Sequence, residues 1–405
     1  MTRPLRIGAA GLGRAFMLML PTLAYHPRVR LTACFDPRPD ACLRFVADFP
    51  GTTAHQSYDA LIADPHINAI YLATPHGLHA EQAIAAARAG KHVLCEKPMA
   101  LTLDEAAAMA AAARGHGTHL LIGHSHAQDG PVLHARRLIA SGAYGAPRLI
   151  TCVTYTDFLY RPRRLEELRT EHGGGVVFSQ AAHQIDVVRA LGGGMLRSVR
   201  AQTFAHDPAR PTEGAYAAFL TFESGAAATA TYSGYARFDT DALHDWTGET
   251  GSPRDPNAYG TARADLARVA TPEDEAALKL TRSYGPSGTP PAAAPSHHHH
   301  FGFTLVSCER ADLRLTPDGV HIHADAERRF ETTPLPAIPR AEVLDEFCAA
   351  VLDGVPPTHD GAWGLATLEA LLALLHSAHE GREITLHRQV PTKDPPPCPH
   401  SASRP

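Results

Sequence analysis

The sequence lacks several features that would place it in a special class of protein. It contains no run of about 18 consecutive apolar residues, the length that a transmembrane helix needs, so no membrane span is expected. Its beginning, MTRPLRIGAAG, lacks the apolar segment of a secretory signal peptide. The formal net charge is −5, which argues against the basic surface of a nucleic-acid-binding protein. We therefore expect neither a membrane nor a nucleic acid as partner.

Paired cysteine motifs are also missing. The seven cysteines are scattered without CxxC spacing, and their number is odd. This pattern favours reduced thiols and a cytoplasmic location over a disulfide framework. Histidine is common, with 26 residues, and His297–His300 are consecutive. Consecutive histidines rarely converge on one ion, and no acidic or cysteine partner stands at ligand spacing, so we predict no metal site.

The length of 405 residues and the 44% hydrophobic content suffice for two domains. Residues 1–127 alternate short apolar runs with helical patterns, which predicts a doubly wound parallel sheet. Residues 128–388 contain β-branched and aromatic runs between a few helices, which predicts an α/β domain with a large, mainly antiparallel open sheet. Within it, residues 240–300 are rich in Gly, Pro and Asp, which predicts a long connection around a short helix. We call this segment the excursion. Residues 389–405 are predicted to be a disordered tail.

A glycine-rich turn follows the first predicted strand in RIGAAGLGRAFM. Glycines there let a pyrophosphate approach the backbone, and the free N–H groups of the following helix attract its charge. About 20 residues further on, Asp36 can accept both ribose hydroxyls, which favours NAD, while the nearby Arg38 leaves NADP open. Phe16 stands where such a turn usually has Gly or Ala, so we expect a shifted helix. The residues assigned to the cofactor from this stretch are Gly11, Leu12, Gly13, Arg14, Asp36 and Arg38.

The most specific stretch is AIYLATPHGLHAEQAIAAARAGKHVLCEKPMALTLDEA. Its TP-x-x-x-H segment, glycine-ended helix and E-K-P resemble the glucose–fructose oxidoreductase / inositol dehydrogenase (Gfo/Idh/MocA) family. The resemblance implies a Rossmann domain in which Lys97 lies beside the nicotinamide, orients substrate and cofactor, and takes part in proton transfer. Burial would lower the pKa of this lysine and make it a better proton acceptor near neutrality. Cofactor contacts are assigned in this stretch to Thr74, Pro75, His76, His79, Glu96 and Lys97.

A second signature of that family, GGG followed by D-x-x-x-H-x-x-D, corresponds here to GGGVVFSQAAHQID. His183 and Asp186 occupy its last two places, but Ser179 replaces the usual first aspartate. Ser179 and His183 are one turn apart on a predicted helix and would share a face. Without that carboxylate His183 should be neutral, and we expect it to act as general base or to orient the reacting hydroxyl beside Lys97. Ser179 and Asp186 are candidate substrate contacts.

Three arginines precede this helix: Arg161, Arg163 and Arg164. A basic run is often only a solvated surface, but guanidinium groups also bind carboxylates bidentately. With GRAFMLMLP and VSCERADLRLTPDGV, this stretch resembles a subgroup of the family that oxidises phthalate 4,5-cis-dihydrodiol to 4,5-dihydroxyphthalate with NAD. The resemblance implies a carboxylated small molecule as substrate, held by these arginines.

Two other functions remain open. One is a sugar, inositol or other polyol dehydrogenase of the same family, for which an aspartate at position 179 would be expected. The other is a cofactor-binding regulator without catalysis, which the presence of both Lys97 and His183 disfavours. Because relatives often dimerise through the open face of their C-terminal sheet, a homo-oligomer, either dimer or tetramer, is expected.

Overall fold

The structure is a computed structural model that describes residues 4–286 and 295–393. The strands of its N-terminal part are β1 Leu5–Ala10, β2 Val29–Phe35, β3 Thr53–Ala54, β4 Ala69–Leu72, β5 His92–Cys95 and β6 Leu120–Ile122. The helices between them are α1 Arg14–Tyr25, α2 Pro39–Asp48, α3 Tyr58–Ala63, α4 His79–Arg88 and α5 Leu103–Gly115. The strands form one parallel sheet in the order β3-β2-β1-β4-β5-β6. The winding direction changes between β1 and β4, which opens a ligand crevice at their carboxyl ends.

A second sheet of nine strands forms the C-terminal part. Its strands are β7 Pro147–Tyr155, β8 Leu196–Phe204, β9 Ala215–Phe222, β10 Ala227–Ser233, β11 Phe303–Cys308, β12 Ala311–Thr316, β13 Gly319–Ala324, β14 Arg328–Thr332 and β15 Ile384–Thr385. They are ordered β14-β13-β12-β11-β7-β10-β9-β8-β15, and only the β7–β10 pair is parallel. The predicted α/β class, with a parallel sheet and a larger, mainly antiparallel one, is confirmed.

Helices cover one face of the nine-stranded sheet. The helices of this part are α6 Gly130–Ala140, α7 Ala182–Gly192, α8 Thr261–Leu266, α9 Pro272–Leu280, α10 Ala341–Asp353 and α11 Gly361–Glu380. Helices α6, α7 and α11 pack on the sheet, α11 also contacts α5, and α10 packs against α1 of the N-terminal part. The chain thus returns at its end to join both sheets into one body.

Helix α11 is long and apolar enough to meet the length and hydropathy criteria for a membrane span. However, 67% of its most apolar window is buried inside the protein. It lies between α5 and β8, and its own Trp363 is buried. Packing in the protein core therefore accounts for its apolar composition.

The excursion predicted over residues 240–300 contains α8 and α9 and extends to the N-terminal part. Its Tyr284 is buried, with its ring 5.3 Å from that of Phe16 in an edge-on arrangement and 6.4 Å from that of Phe45. The Tyr284 N–H donates to the Leu12 carbonyl at 3.1 Å. Part of this excursion, residues 287–294, lies outside the described residues.

The predicted disordered tail needs a correction at its start. The buried guanidinium of Arg189 donates to Gln389 Oε1 at 3.1 Å, and the Gln389 amide donates to the carbonyl of Ala366 at 2.9 Å. Residues 389–393 are therefore held to the body, because a buried arginine needs acceptors. The rest of the predicted tail, residues 394–405, lies outside the described residues.

Candidate active site

The glycine-rich turn has the geometry that a dinucleotide phosphate requires. Gly11 has φ +86°, and a Cβ there would lie 2.6 Å from the Ala73 carbonyl oxygen, so only glycine fits. A Cβ on Gly13 would meet open space. Gly13 is also the N-cap of α1, and no side chain among residues 4–286 and 295–393 caps this end of the helix. Its first-turn N–H groups can therefore receive a phosphate.

Asp36 and Arg38 form a fixed pair beside this turn. The Arg38 guanidinium donates to both carboxylate oxygens of Asp36, at 2.9 and 3.1 Å. The Leu12 N–H donates to Asp36 at 2.7 Å. Arg38 also donates to the carbonyls of Leu12 and Tyr284, at 2.9 and 3.1 Å. Most guanidinium donors of Arg38 therefore have protein acceptors.

Phe16 has a packing role that the sequence alone did not reveal. Its ring is fully buried between Phe45 and Tyr284. The position that usually needs a small residue for close helix packing is used here to hold Tyr284 of the excursion.

The loop after β4 is tied to the loop after β5 by His79. Its ring nitrogens lie 3.0 Å from the carbonyl oxygen of Pro98 and 2.9 Å from that of Thr74. Thr74 also donates to Gln82 at 2.6 Å. The His76 ring lies 3.3 Å from the Gly173 carbonyl, and burial lowers the pKa of His76 to about 3. His79 therefore positions this loop and is enclosed, while Pro75 is exposed.

Lys97 and His183 line the same cavity, of about 280 Å³, between the two sheets. Burial lowers the pKa of Lys97 to about 8, and its ammonium donates to the carbonyl of Ser179 at 2.5 Å. Burial and then the charge of Lys97 lower the pKa of His183 well below its ordinary value. This agrees with the expectation of a neutral imidazole. Glu96, which accepts a hydrogen bond from Tyr71 at 2.7 Å, also lines the cavity.

Ser179 does not take the place expected for it. Residues Val177–Ala181 form a π-helix, which changes the side-chain positions relative to an α-helix. The Ser179 hydroxyl donates to the Gly175 carbonyl, and Gln180, not Ser179, lines the cavity. The prediction that Ser179 and His183 share a face assumed α-helical spacing and is corrected here.

Asp186 lies in the protein interior rather than on the cavity wall. It accepts a hydrogen bond from the Trp363 indole at 2.5 Å and lies 3.6 Å from a ring nitrogen of His359. Burial opposes its charge, but His124 and His359 lower the pKa of Asp186 to about 2. Its assignment as a substrate contact is corrected to a role in packing α7 against α11.

The three predicted arginines have different environments. Arg161 lines the cavity and pairs with Asp157 at 2.9 Å. Arg163 also lines it, stacks 3.6 Å from the centre of the Phe158 ring and donates to the carbonyl of the same residue. Arg164 pairs with Glu166 at 3.2 Å and does not line the cavity. It is therefore withdrawn from the substrate site.

Several cavity residues were missed by sequence reasoning. They come from distant segments of the chain: His126, Gln180, Glu249, Lys279, Arg282 and Arg340. Arg14, which was assigned to the cofactor, lines the same cavity. His126 lies 2.8 Å from Asp129 and 3.7 Å from Glu249, with its ring centre 4.7 Å from that of His183. His126 could have been found from the sequence GHSH, because these polar residues directly follow the predicted strand β6.

The consecutive histidines separate in space. His297 pairs with Asp318 at 2.6 Å, His298 lies 3.1 Å from the Thr333 carbonyl, and the ring of His300 lies 2.9 Å from the Thr247 carbonyl. His299 lies 3.3 Å from the Arg340 side chain. Within residues 4–286 and 295–393, no group of three or more His, Cys, Asp or Glu side chains is arranged to hold a metal ion.

Fold and site together define an oxidoreductase with a dinucleotide-binding domain. Two family models match: an oxidoreductase family with an NAD-binding Rossmann fold over residues 5–124, and the GFO/IDH/MocA C-terminal domain over residues 132–253. The 1-carboxy-3-chloro-3,4-dihydroxycyclohexa-1,5-diene dehydrogenase of Comamonas testosteroni is 44% identical over 92% of this chain and 94% of its own. The chain belongs to the Gfo/Idh/MocA oxidoreductase family, which confirms the resemblance.

Solved structures of other proteins have the same fold. A dehydrogenase from Bordetella bronchiseptica RB50 is 38% identical, with a TM-score of 0.89 over 95% of this chain and 100% of that chain. Levoglucosan dehydrogenase in complex with NADH and levoglucosan is 19% identical, with a TM-score of 0.69 over 95% and 99% of the two chains. The second likeness shows the fold alone.

Proposed function

We propose that this protein oxidises a carboxylated aromatic cis-dihydrodiol with NAD. Phthalate 4,5-cis-dihydrodiol, converted to 4,5-dihydroxyphthalate, is the specific candidate. One observation carries the proposal: Lys97 and His183 share a cavity whose wall has an excess of positive charge. Seven lysine and arginine side chains line it against two carboxylates, those of Glu96 and Glu249. The Comamonas relative, named for a substrate with a ring carboxyl group and two hydroxyls, supports the same substrate class.

The two catalytic residues divide the proton chemistry. Neutral Lys97 removes the proton of the reacting hydroxyl, since a pKa near 8 suits a base close to neutrality. His183, whose pKa lies far lower, is the weaker proton acceptor and orients the hydroxyl by hydrogen bonding. When bound, NAD supplies the acceptor for the hydride that leaves the same carbon. The resulting ketone tautomerises to the aromatic catechol, which makes the overall reaction favourable.

NAD is the proposed cofactor in preference to NADP. The carboxylate of Asp36 stands where a 2′-phosphate would be repelled. Arg38, the cation that could bind such a phosphate, is engaged by Asp36, Leu12 and Tyr284. The glycine turn and the uncapped start of α1 would hold the pyrophosphate.

The test is the substrate dependence of NADH formation. Phthalate 4,5-cis-dihydrodiol should give the highest kcat/KM. The chlorinated monocarboxylate of the Comamonas relative should be oxidised more slowly, and the cis-dihydrodiol of benzene, which has no carboxylate, poorly. A higher kcat/KM for inositol or a sugar would overturn the proposal in favour of a polyol dehydrogenase. Failure to oxidise any of these compounds would favour a non-catalytic role.

We also propose a cytoplasmic homo-oligomer. Six cysteines in the described part of the chain are free thiols, as in a reducing compartment. The face of the nine-stranded sheet away from α6, α7 and α11 carries exposed Leu149 and Phe219. This open face is the proposed contact between copies.

A further inference from the structure

Three arginines that line the cavity have side chains that donate to no carboxylate or carbonyl oxygen among the described residues. Arg14 begins α1, Arg282 follows α9, and Arg340 precedes α10. We call these three residues the arginine triad. Among the described residues, no carboxylate lies within 4.0 Å of a nitrogen of any triad side chain. The other cations of the same cavity have partners in the protein. Arg161 pairs with Asp157 and Lys279 with Glu167, Lys97 donates to the Ser179 carbonyl, and Arg163 stacks on Phe158 and donates to its carbonyl.

The charges of Arg282 and Arg340 act on Arg14. Burial first, and then the charges of Arg282 and Arg340, lower the pKa of Arg14. Arg14 and Arg282 are nevertheless exposed at the cavity, so an incoming ligand can reach them. Like charges brought together from three separate segments repel, and an anion placed among them would relieve that repulsion. The planar guanidinium fork matches a carboxylate in particular.

Backbone strain gives an independent indication. Arg340 has φ +56° and ψ +25°, a left-handed conformation that is costly for a residue with a side chain. In the described part of the chain, the other non-glycine residues with positive φ are Asp245 and Trp246, just before cavity residues Glu249 and Thr250. Such strain is typically retained where a functional side chain must be held in one place. The Arg340 side chain is further oriented by His299 at 3.3 Å.

We propose that the arginine triad binds the carboxylate of the substrate and makes the protein selective for ring carboxylates over neutral analogues. The inference deepens the proposed function and rests on it for the reaction, although it concerns binding only. It moves the carboxylate away from Arg161, which pairs with Asp157, and from Arg163, which stacks on Phe158 and donates to its carbonyl. Because Arg282 belongs to the excursion, the site is complete only when Tyr284 is packed on α1.

Carboxylate binding to the NADH-saturated protein tests this proposal. Benzoate, phthalate and the neutral analogue benzamide would be titrated by calorimetry into wild type, Arg14→Gln, Arg282→Gln and Arg340→Gln. We expect each variant to weaken benzoate and phthalate binding about 10-fold or more, the effect of about 1.4 kcal/mol. Benzamide should bind poorly throughout. The matched control is Arg268→Gln, whose side chain lies on the same excursion and is 79% exposed; it should bind like wild type.

A second variant separates binding from folding. Asparagine tolerates the left-handed conformation, so Arg340→Asn should keep or raise Tm while losing affinity for carboxylates. Wild-type affinity for benzoate and phthalate in the triad variants would overturn the inference. So would equal binding of benzoate and benzamide by wild type. Variants that weaken only NADH binding would assign the triad to the cofactor diphosphate and overturn it as well.

The binding titrations and Tm measurements do not depend on catalytic turnover, so they test the carboxylate site separately from the reaction. A wild-type protein that binds carboxylates through the triad but oxidises no dihydrodiol would refute the proposed function and leave the carboxylate site standing.

Discussion

At Lys97 the fold encloses an ammonium group between two sheets. Burial lowers its pKa from 10.5 to about 8, although Glu96 and Glu249 oppose the shift. The amine is therefore partly neutral just above physiological pH. The same burial makes the protonated form costly to the folded state, so the feature that favours catalysis opposes stability.

Replacing Lys97 by Met should separate these two effects. Turnover should fall about 10²–10⁴-fold, the range for losing a positioned acid–base group. Tm at pH 7 should stay the same or rise, because a buried charge is removed. In wild type, kcat/KM should increase as pH rises through about 8, where Lys97 loses its proton. Near-normal turnover in the variant, or a rise centred near pH 6 in wild type, would contradict the role given to Lys97.

Cofactor preference is also decided by single residues. Asp36→Ala should raise KM for NAD about 10-fold or more, because a hydrogen bond to a charged group contributes about 1.5–3 kcal/mol. The same change should release Arg38 and increase kcat/KM for NADP. The ratio of kcat/KM for the two cofactors measures both effects. Arg38→Gln serves as the comparison variant, and an unchanged ratio in Asp36→Ala would show that Asp36 does not select the cofactor.

Among the elements, α7 places two polar side chains in different surroundings on neighbouring turns. Its first turn presents His183 to the cavity, whereas Asp186 faces α11 and a buried imidazole. Burial opposes the charge of His359, but Glu346 and Asp186 raise its pKa to about 10. The stabilisation from His359 is thus complete below pH 6.5 and is lost as pH rises toward 10. That from Asp186 is present above pH 3.8 and is lost as pH falls toward 2.

Asp186→Asn should therefore act on stability. Removing one partner of a buried ion pair costs about 3–5 kcal/mol, and His359 would remain charged in the core. We expect a lower free energy of unfolding in urea but a kcat of the folded protein close to wild type. Asp353→Asn, which affects an exposed pair with Arg28, is the control and should change neither. A 100-fold loss of kcat at unchanged stability would instead place Asp186 in the reaction.

At the scale of the whole molecule, the main feature is the open sheet face, which no element of the described residues covers. It combines exposed Leu149 and Phe219 with threonines such as Thr151 and Thr229, which neighbour one another across β7, β10 and β9. An apolar sheet face of this kind is typical of contacts between subunits.

Phe219→Lys should convert the expected oligomer into smaller species, because a charge would be buried in the contact. Phe219 is 46% exposed in the single chain, so its fold should tolerate the change. Light scattering coupled to size exclusion measures the mass. Tyr25→Lys, at a 75% exposed position on α1, should leave it unchanged. A monomeric wild type, or a variant of unchanged mass, would move the contact elsewhere.

Much of this protein follows from short-range patterns in its sequence. The N-terminal sheet and the family could be inferred directly, because their signals depend on neighbouring residues. These signals are the strand–helix alternation, the glycine turn with Asp36 and the stretch that contains Lys97. His183 could also be placed by its motif.

Tertiary structure alone decided the rest. Packing between distant segments decides two features of α7 and the turn before it. The π-helix places Gln180 instead of Ser179 on the cavity wall, and Asp186 is buried against Trp363. The triad likewise joins residues 14, 282 and 340, which no local pattern relates. Side chains so far apart in the chain line one cavity because the excursion and α10 both pack on α1, and that packing is set by the summed contacts of the whole fold.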